Sequence, residues 1–215
     1  MRLILLGGPG SGKGTQADFL KVKYGCAHIS TGDILRKSLR EKTDLGLRAE
    51  TFMNKGELVP DAIMVDMVEG RLREDDVAGG FVMDGFPRDI PQAEAFDKIL
   101  NKMNYHLDAV LFLKIDEEVL VRRLTSRRVC RTCGKAWSPL TVAAGTENCP
   151  DCGGELYRRN DDNEQVVRHR IQIYKEHTEP LAAWYEDKGL LRVVEVKEHC
   201  MPKDTFNGIE AVLSL

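Results

Sequence analysis

Three groups of residues in this 215-residue chain have types and spacings that can do chemistry. The first is Gly7-Gly8-Pro9-Gly10-Ser11-Gly12-Lys13-Gly14-Thr15, which directly follows the apolar run Leu3-Ile4-Leu5-Leu6. Glycines let successive backbone N–H groups face one anion. A helix opening at Lys13 adds its dipole, and the Lys13 ammonium can reach the β- and γ-phosphates of a nucleotide. Gly14 stands where most such loops carry Ser or Thr, with Thr15 one position later. A metal on the phosphates would then be held more by phosphate and water than by a loop hydroxyl. A ligand-free glycine turn is the bland alternative, and it leaves strand, loop, lysine and helix as coincidences.

The second group is Asp84-Gly85-Phe86-Pro87-Arg88, with Gln92 one helical turn beyond. An acid closes an apolar strand and an arginine follows four residues later, which a plain Gly-Pro turn does not require. The third group is Cys130-x-x-Cys133 and, after fifteen intervening residues, Cys149-x-x-Cys152. Each pair is followed by glycine, Gly134 and Gly153, as metal knuckles demand. Four thiolates would fill a tetrahedral zinc site and leave no open position, so the metal would be structural. Disulfides and an iron site are the competing readings. Cys26 and Cys200 stand alone and read as buried small hydrophobes. The five histidines, His28, His106, His169, His177 and His199, show no metal spacing and read as surface or helix polar residues.

These groups need elements to position them. Leu3–Leu6, Val82–Met83, Ala109–Leu113 and Leu191–Val196 read as buried parallel strands. Helical spacing covers Lys13 to about Tyr24, Ile63 to Leu72, Asp116 to Arg128 and the segment from Asp161 through Tyr174. From Gly32 to Arg73 three helical patterns run without a strand, suggesting a helical excursion. Val129 to about Arg158 is rich in Cys, Gly, Pro and Thr and too poor in apolar residues to fold without a metal. Trp184 with Leu181 reads as core packing. Strands alternating with helices argue for an α/β fold, a parallel sheet covered by helices on both faces.

Composition narrows the function classes. Hydrophobic residues make up 42% and charged residues 30%, which excludes a disordered or fibrous chain. Thirty-one basic against 34 acidic side chains leave a net charge of −3, so no global basic field advertises nucleic acid or an anionic membrane. No apolar run reaches membrane-span length and no secretory h-region is readable, so the expected address is the cytoplasm.

Taken with Ser30-Thr31-Gly32-Asp33 and Arg36, the loop and the Asp84–Arg88 motif closely resemble the adenylate kinase family. The match runs on through Arg127-Arg128 before the insertion and Arg159 to Arg170 after it. The insertion resembles the zinc-bearing lid of long bacterial forms. The resemblance implies a P-loop nucleoside monophosphate kinase: a core of residues 1–30, 60–128 and 161–215, an AMP-binding excursion at 31–59 and a zinc-binding lid at 129–160. It implies Mg²⁺-dependent phosphoryl transfer from ATP to AMP, giving two ADP, by a monomer with no nucleic-acid or membrane partner. By position, ATP would contact Gly10, Ser11, Gly12, Lys13, Gly14, Thr15, Arg123, Arg127, Ala136 and Trp137. AMP would contact Thr31, Arg36, Glu57, Leu58, Val59, Gly85, Phe86, Pro87, Arg88, Gln92, Arg159 and Arg170. Catalysis would rest on Lys13, Arg88, Arg123, Arg127, Arg159 and Arg170, with Asp84 orienting water on Mg²⁺.

Ten basic residues lie between Arg122 and Arg170, and Arg122, Arg131 and Arg158 read as ordinary surface charge. The family's base contact near Met201-Pro202 matches only loosely here and is not carried over. A sister kinase for UMP or CMP is the nearest rival; Thr31 and Gln92 favour AMP. A P-loop switch or a zinc-ribbon nucleic-acid module would call for a basic face and an N-K-x-D motif, neither of which is found.

Overall fold

The computed structural model describes residues 1–139, 141–143 and 145–214. The chain opens with β1 (Arg2–Leu6), α1 (Lys13–Tyr24) and β2 (Ala27–Ser30). Then α2 (Thr31–Arg40), α3 (Asp44–Lys55) and α4 (Asp61–Leu72) follow without an intervening strand, as the helical spacing predicts. Next come β3 (Phe81–Asp84), α5 (Ile90–Lys102), β4 (Ala109–Lys114) and α6 (Glu117–Ser126). A small unit holds β5 (Arg128–Cys130), β6 (Ala136–Trp137) and β7 (Leu156–Tyr157). The chain closes with α7 (Glu164–Ile173), a π-turn at Tyr174–Thr178, α8 (Leu181–Asp187), β8 (Leu191–Glu195) and α9 (Pro202–Leu213).

The main sheet is parallel throughout, in the order β2-β3-β1-β4-β8. Alternate residues of one strand serve opposite faces. Ile4, Leu6, Phe81, Met83, Val110 and Phe112 join one core, while Leu3, Leu5, Val82, Leu111 and Leu113 join the other. Burial on both faces is why these strands read as unbroken apolar runs. The winding reverses beside β1, and ligands of such sheets bind beyond the strand C-termini at that point. Register aligns Ser30 with Asp84 and Leu5 with Asp84. The phosphate loop, the α2 cap and the Asp84 motif therefore leave the sheet at one edge.

Caps fix the helices that carry site residues. Ser30 accepts from the Asp33 N–H, Asp89 from Gln92 N, Asp116 from Glu118 N and Asn163 from Val166 N. Each satisfies an orphan donor of a first turn. The small unit is a three-stranded antiparallel sheet, β6-β5-β7. Among the described residues its buried cluster is Cys130, Cys149 and Leu156, with Trp137 packed against it.

Several elements differ from expectation. β2 is an edge strand whose residues alternate between buried and half-buried, too short and polar to stand out as an apolar run. β8 is the opposite edge, not a buried strand: Val194 is buried but Val193 is 43% exposed. The helix expected from Asp116 to Arg128 is shorter, with Asp116 as its cap and Arg128 already in β5. Helix α7 starts at Glu164 rather than Asp161, after a 3₁₀ turn at Asn160–Asp162. Cys26 is buried as expected, whereas Cys200 is only half-buried. Leu181 is buried and Trp184 stacks edge-on against Tyr185.

Candidate active site

The phosphate loop joins the C-terminus of β1 to the first turn of α1. Gly10 has φ 87°, and a Cβ there would lie 2.8 Å from Leu124 Cγ, so backbone freedom and tight packing both demand glycine. The Lys13 ammonium donates to the carbonyls of Gly7 at 2.8 Å and Gly8 at 3.0 Å. Burial lowers its pKa to about 8, opposed by Asp84 and reinforced by Arg88, Arg170 and Arg127.

Asp84 closes β3 beside the loop; a Cβ on Gly14 would stand 3.5 Å from its Oδ2. Burial pushes its carboxyl up, but His28 and Lys13 outweigh this and hold it below its ordinary range. His28 corrects the reading of the histidines as surface or helix polar groups. It lies on β2 with its side chain 12% exposed, Nδ1 3.0 Å from Asp18 Oδ1 and Nε2 3.9 Å from Asp84 Oδ2. Burial disfavours the imidazolium, yet the two carboxylates raise its pKa to about 9.

A cleft opens beside this centre between α2, the α3–α4 connection and the Asp84 motif. Gly32, Arg36, Glu57, Leu58, Val59, Arg88, Gln92 and Arg170 line it. Thr31 is buried and donates to Gly85 O at 2.9 Å. Gly85, with φ 85°, leaves no room for a Cβ, which would sit 2.7 Å from Thr31 Oγ1. Arg88 is held at both ends: its Nε donates to Gly85 O at 2.9 Å, and its carbonyl accepts from Thr178 Oγ1 at 2.7 Å. Gln92 accepts from Arg88 N–H at 2.9 Å and donates to Asp61 at 2.7 Å. Phe86 is 1% exposed and packs on Phe96. Phe86 and the buried Pro87 therefore shape the cleft from beneath rather than lining it with side chains.

Arginines from distant segments converge here. Arg127 forms a bidentate pair with the fully buried Asp162 at 2.9 and 2.5 Å, and Arg170 pairs with Asp161 at 2.8 Å. Arg36 pairs with Asp33 at 2.6 Å. Burial, then neighbouring cations, lowers Arg88 and Arg159 to about 10 each. Arg159 feels Arg36 and Arg127, and Arg88 feels Arg170. Arg123 lies apart from this group, its Nη2 donating to the carbonyls of Lys197 and Glu198 at 3.1 Å. Arg122 and Arg131 make exposed ion pairs with Glu198 and Glu155, and Arg158 is exposed, in keeping with surface charge.

Two features were given no role from the sequence. The Asp161-Asp162 doublet orients Arg170 and Arg127, and its only signal was a pair of acids two and three residues after Arg159. The segment at 197–202 is drawn to the phosphate side by Arg123 and by Gln16, whose Nε2 donates to Pro202 O at 2.9 Å. No spacing rule links positions 186 residues apart.

Lys13 predicts a pH dependence. An ammonium that is to attract a polyphosphate must keep its proton, and this one loses it as pH rises through about 8. Plotted against pH, kcat/KM for a phosphate-bearing donor should fall roughly tenfold per unit above that value, because this parameter reports the free enzyme. A flat profile to pH 9.5 would contradict it. Stability has the opposite sign: the folded pKa lies below the ordinary 10.5, so the cost of burying this cation is present below pH 8 and relieved as pH climbs toward 10.5.

The four knuckle cysteines gather into one cluster, all four Sγ atoms within 4.8 Å of one another. Cys130 and Cys152 are 3.4 Å apart and Cys133 and Cys149 are 3.7 Å apart, and all four are free thiols. A tetrahedron with metal–sulfur bonds of ~2.3 Å has edges of about 3.8 Å, so the set fits one metal ion. Backbone N–H groups of Thr132 and Cys133 point at Cys130 Sγ at 3.4 and 3.5 Å, as a metal-binding knuckle requires. Ala136 is exposed on β6, while the Trp137 ring packs on the cysteine cluster.

Comparison with known proteins agrees with this geometry. The family model for adenylate kinase matches residues 5–190. An adenylate kinase of Archaeoglobus fulgidus is 45% identical over 214 residues, covering 99% of this chain and 98% of that protein. That of Thermodesulfovibrio yellowstonii is 45% identical over 99% of both chains. That of Bacillus licheniformis is 45% identical over 93% of this chain and 92% of its own.

Proposed function

The chain belongs to the adenylate kinase family, and we propose that its converging cations carry out the reversible, Mg²⁺-dependent transfer of a phosphoryl group from ATP to AMP. The observation that carries this reading is the charge imbalance of the cleft. Lys13, Arg36, Arg88, Arg127, Arg159 and Arg170 outnumber Asp33, Glu57, Asp84, Asp161 and Asp162 there, and mutual repulsion helps to depress four of the cations. Such a site favours bound anions, and guanidinium forks suit phosphate oxygens.

Transfer of a phosphoryl group spreads charge over the moving oxygens and calls for positioning and cations rather than a protein nucleophile. The acceptor phosphate oxygen attacks the γ-phosphorus in line, and no covalent enzyme intermediate forms. Residues 10–15 cradle the donor phosphates, with Lys13 as the point charge. Arg36 and Arg88 hold the acceptor phosphate. Thr31, Gln92 and the backbone of 57–59 and 85–88 form the base side of that cleft. Arg127, Arg159 and Arg170 span the moving group, and Asp161 and Asp162 keep the forks of Arg170 and Arg127 in place. Arg123 and the lid segment at Ala136-Trp137 face the donor nucleotide. Asp84, ionised beside the loop, would hold waters of a Mg²⁺ ion that travels with ATP and neutralises phosphate charge. ATP and AMP should give two ADP for each ATP consumed, with no turnover when Mg²⁺ is chelated; a coupled assay of ADP measures this.

The domain boundaries follow the same division: core at 1–30, 60–128 and 161–215, acceptor unit at 31–59, lid at 129–160. Zinc suits the four-thiolate set of Cys130, Cys133, Cys149 and Cys152, whose four ligands leave no position for substrate. Its role is to order a lid with almost no apolar core. Metal analysis should find about one zinc per chain. Cys130→Ser should lower the melting temperature of the lid while the parallel sheet stays folded and activity persists in part at low temperature. Loss of activity with an unchanged melting curve would make the metal catalytic instead. Among the described residues no helix is long and apolar enough to cross a membrane. A cytoplasmic monomer with nucleotides as its partners completes the proposed reading.

A further inference from the structure

Between α7 and α8 the helix widens into the π-turn at Tyr174–Thr178, where the Glu179 N–H reaches back five residues to Tyr174 O at 2.8 Å. The turn stands just before Pro180, which has no N–H and whose ring would meet a carbonyl four residues back in an α-helix. Widened turns recur at functional sites. Lys175, Glu176 and His177 face solvent, whereas Thr178 is 8% exposed. A threonine within a helix can bond the carbonyl four residues back, which here is Tyr174 O. That carbonyl takes the Glu179 N–H instead, and the Thr178 hydroxyl donates to Arg88 O at 2.7 Å, across 90 positions of sequence.

The other anchors of Arg88 are local. Its N–H donates to Gln92 Oε1 at 2.9 Å and its Nε to Gly85 O at 2.9 Å, both partners within four residues. Such bonds shape the loop without fixing where it stands relative to the phosphate loop. Among the described residues, the Thr178 hydroxyl is the hydrogen bond that ties Arg88 to another segment of the chain. The opposite end of the same turn meets the phosphate loop: a Cβ built on Gly8 would stand 3.6 Å from Tyr174 Cε1. One five-residue turn thus touches the donor loop at Gly8 and the acceptor arginine at Arg88.

We propose that Thr178 is a positioning residue for phosphoryl transfer. Its hydroxyl seats the Arg88 backbone, and with it the guanidinium, at a set distance from the phosphate loop, while Tyr174 braces that loop from the same turn. This rests on Arg88 holding the acceptor phosphate. In-line transfer needs the reacting atoms within ~3–3.5 Å, and a misplacement of ~1 Å can cost about a hundredfold in rate. A spacer common to both halves keeps that distance. Thr178 acts through Arg88.

Thr178→Val keeps the branched shape and deletes the hydroxyl, and Thr178→Ser keeps the hydroxyl. The Val variant should lose about tenfold or more in kcat/KM for AMP, with KM for ATP near the native value. The Ser variant should recover most of that loss. In an Arg88→Ala background the Val change should cost little more, because residues acting through one group are not additive. Steady-state kinetics with each nucleotide varied in turn measures all three. Native kinetics in the Val variant, a Ser variant as impaired as Val, or an equal loss in the Arg88→Ala background would each overturn the inference. Arg88→Ala at the native rate would instead overturn the reading of the acceptor site on which it rests. Should the Val variant fail to fold, Thr178→Ala takes its place in the same comparison.

Discussion

Lys13→Ala is expected to lower kcat/KM for ATP by about a hundredfold or more while the protein remains folded. Removing one preorganised charge aimed at developing negative charge costs on the order of 10²–10³ in rate. In the proposed reading Lys13 is that charge: its ammonium lies in the loop, bonded among the described residues to the Gly7 and Gly8 carbonyls. The variant's fold should hold because the loop's shape comes from glycine conformations and the packing of Leu124 under Gly10. Burial of the Lys13 cation disfavours folding at neutral pH, as its lowered pKa records. Melting curves therefore should not fall with the rate. A near-normal rate would remove the loop from the chemistry.

Arg88→Ala should cost a similar factor, with a different signature. Arg88 is clamped by Gly85 O, Thr178 and Gln92, and its guanidinium lines the acceptor cleft beside Arg170. The loss should appear in kcat and in KM for AMP, and KM for ATP should change least. Arg88→Lys should restore little, since an ammonium cannot reproduce a two-pronged fork on phosphate. Steady-state kinetics with each nucleotide varied in turn measures both. A defect confined to KM for ATP would place Arg88 on the donor side.

What could be read from the sequence was what local rules govern. The phosphate loop is a strand, a glycine pattern and a helix start within fifteen residues, and the structure builds it that way. The cysteine knuckles were legible because ligand spacing is set by the turn that each pair must make. The helical excursion from Thr31 to Leu72 showed in its periodicity. Other features depend on tertiary contact and left no pattern. β2 is fixed by the Ala27–Ser30 register against Phe81–Asp84, not by its own composition. His28 became a partner of Asp84 only because that register sets two strand ends side by side. Asp162 is buried only because Arg127, thirty-five residues earlier, neutralises it. The roles of individual arginines came from resemblance, since charge alone does not separate Arg127 from Arg122.

The central claim is that this cleft accepts AMP as the phosphoryl acceptor. ADP formation from Mg²⁺–ATP, with AMP, UMP, CMP and GMP offered in turn at equal concentration, tests it most directly. The geometry of Thr31, Gln92 and the arginine ring predicts rapid conversion of AMP to ADP and much slower turnover of the other three. Equal or faster turnover with UMP or CMP would contradict it and assign the chain to a sister kinase.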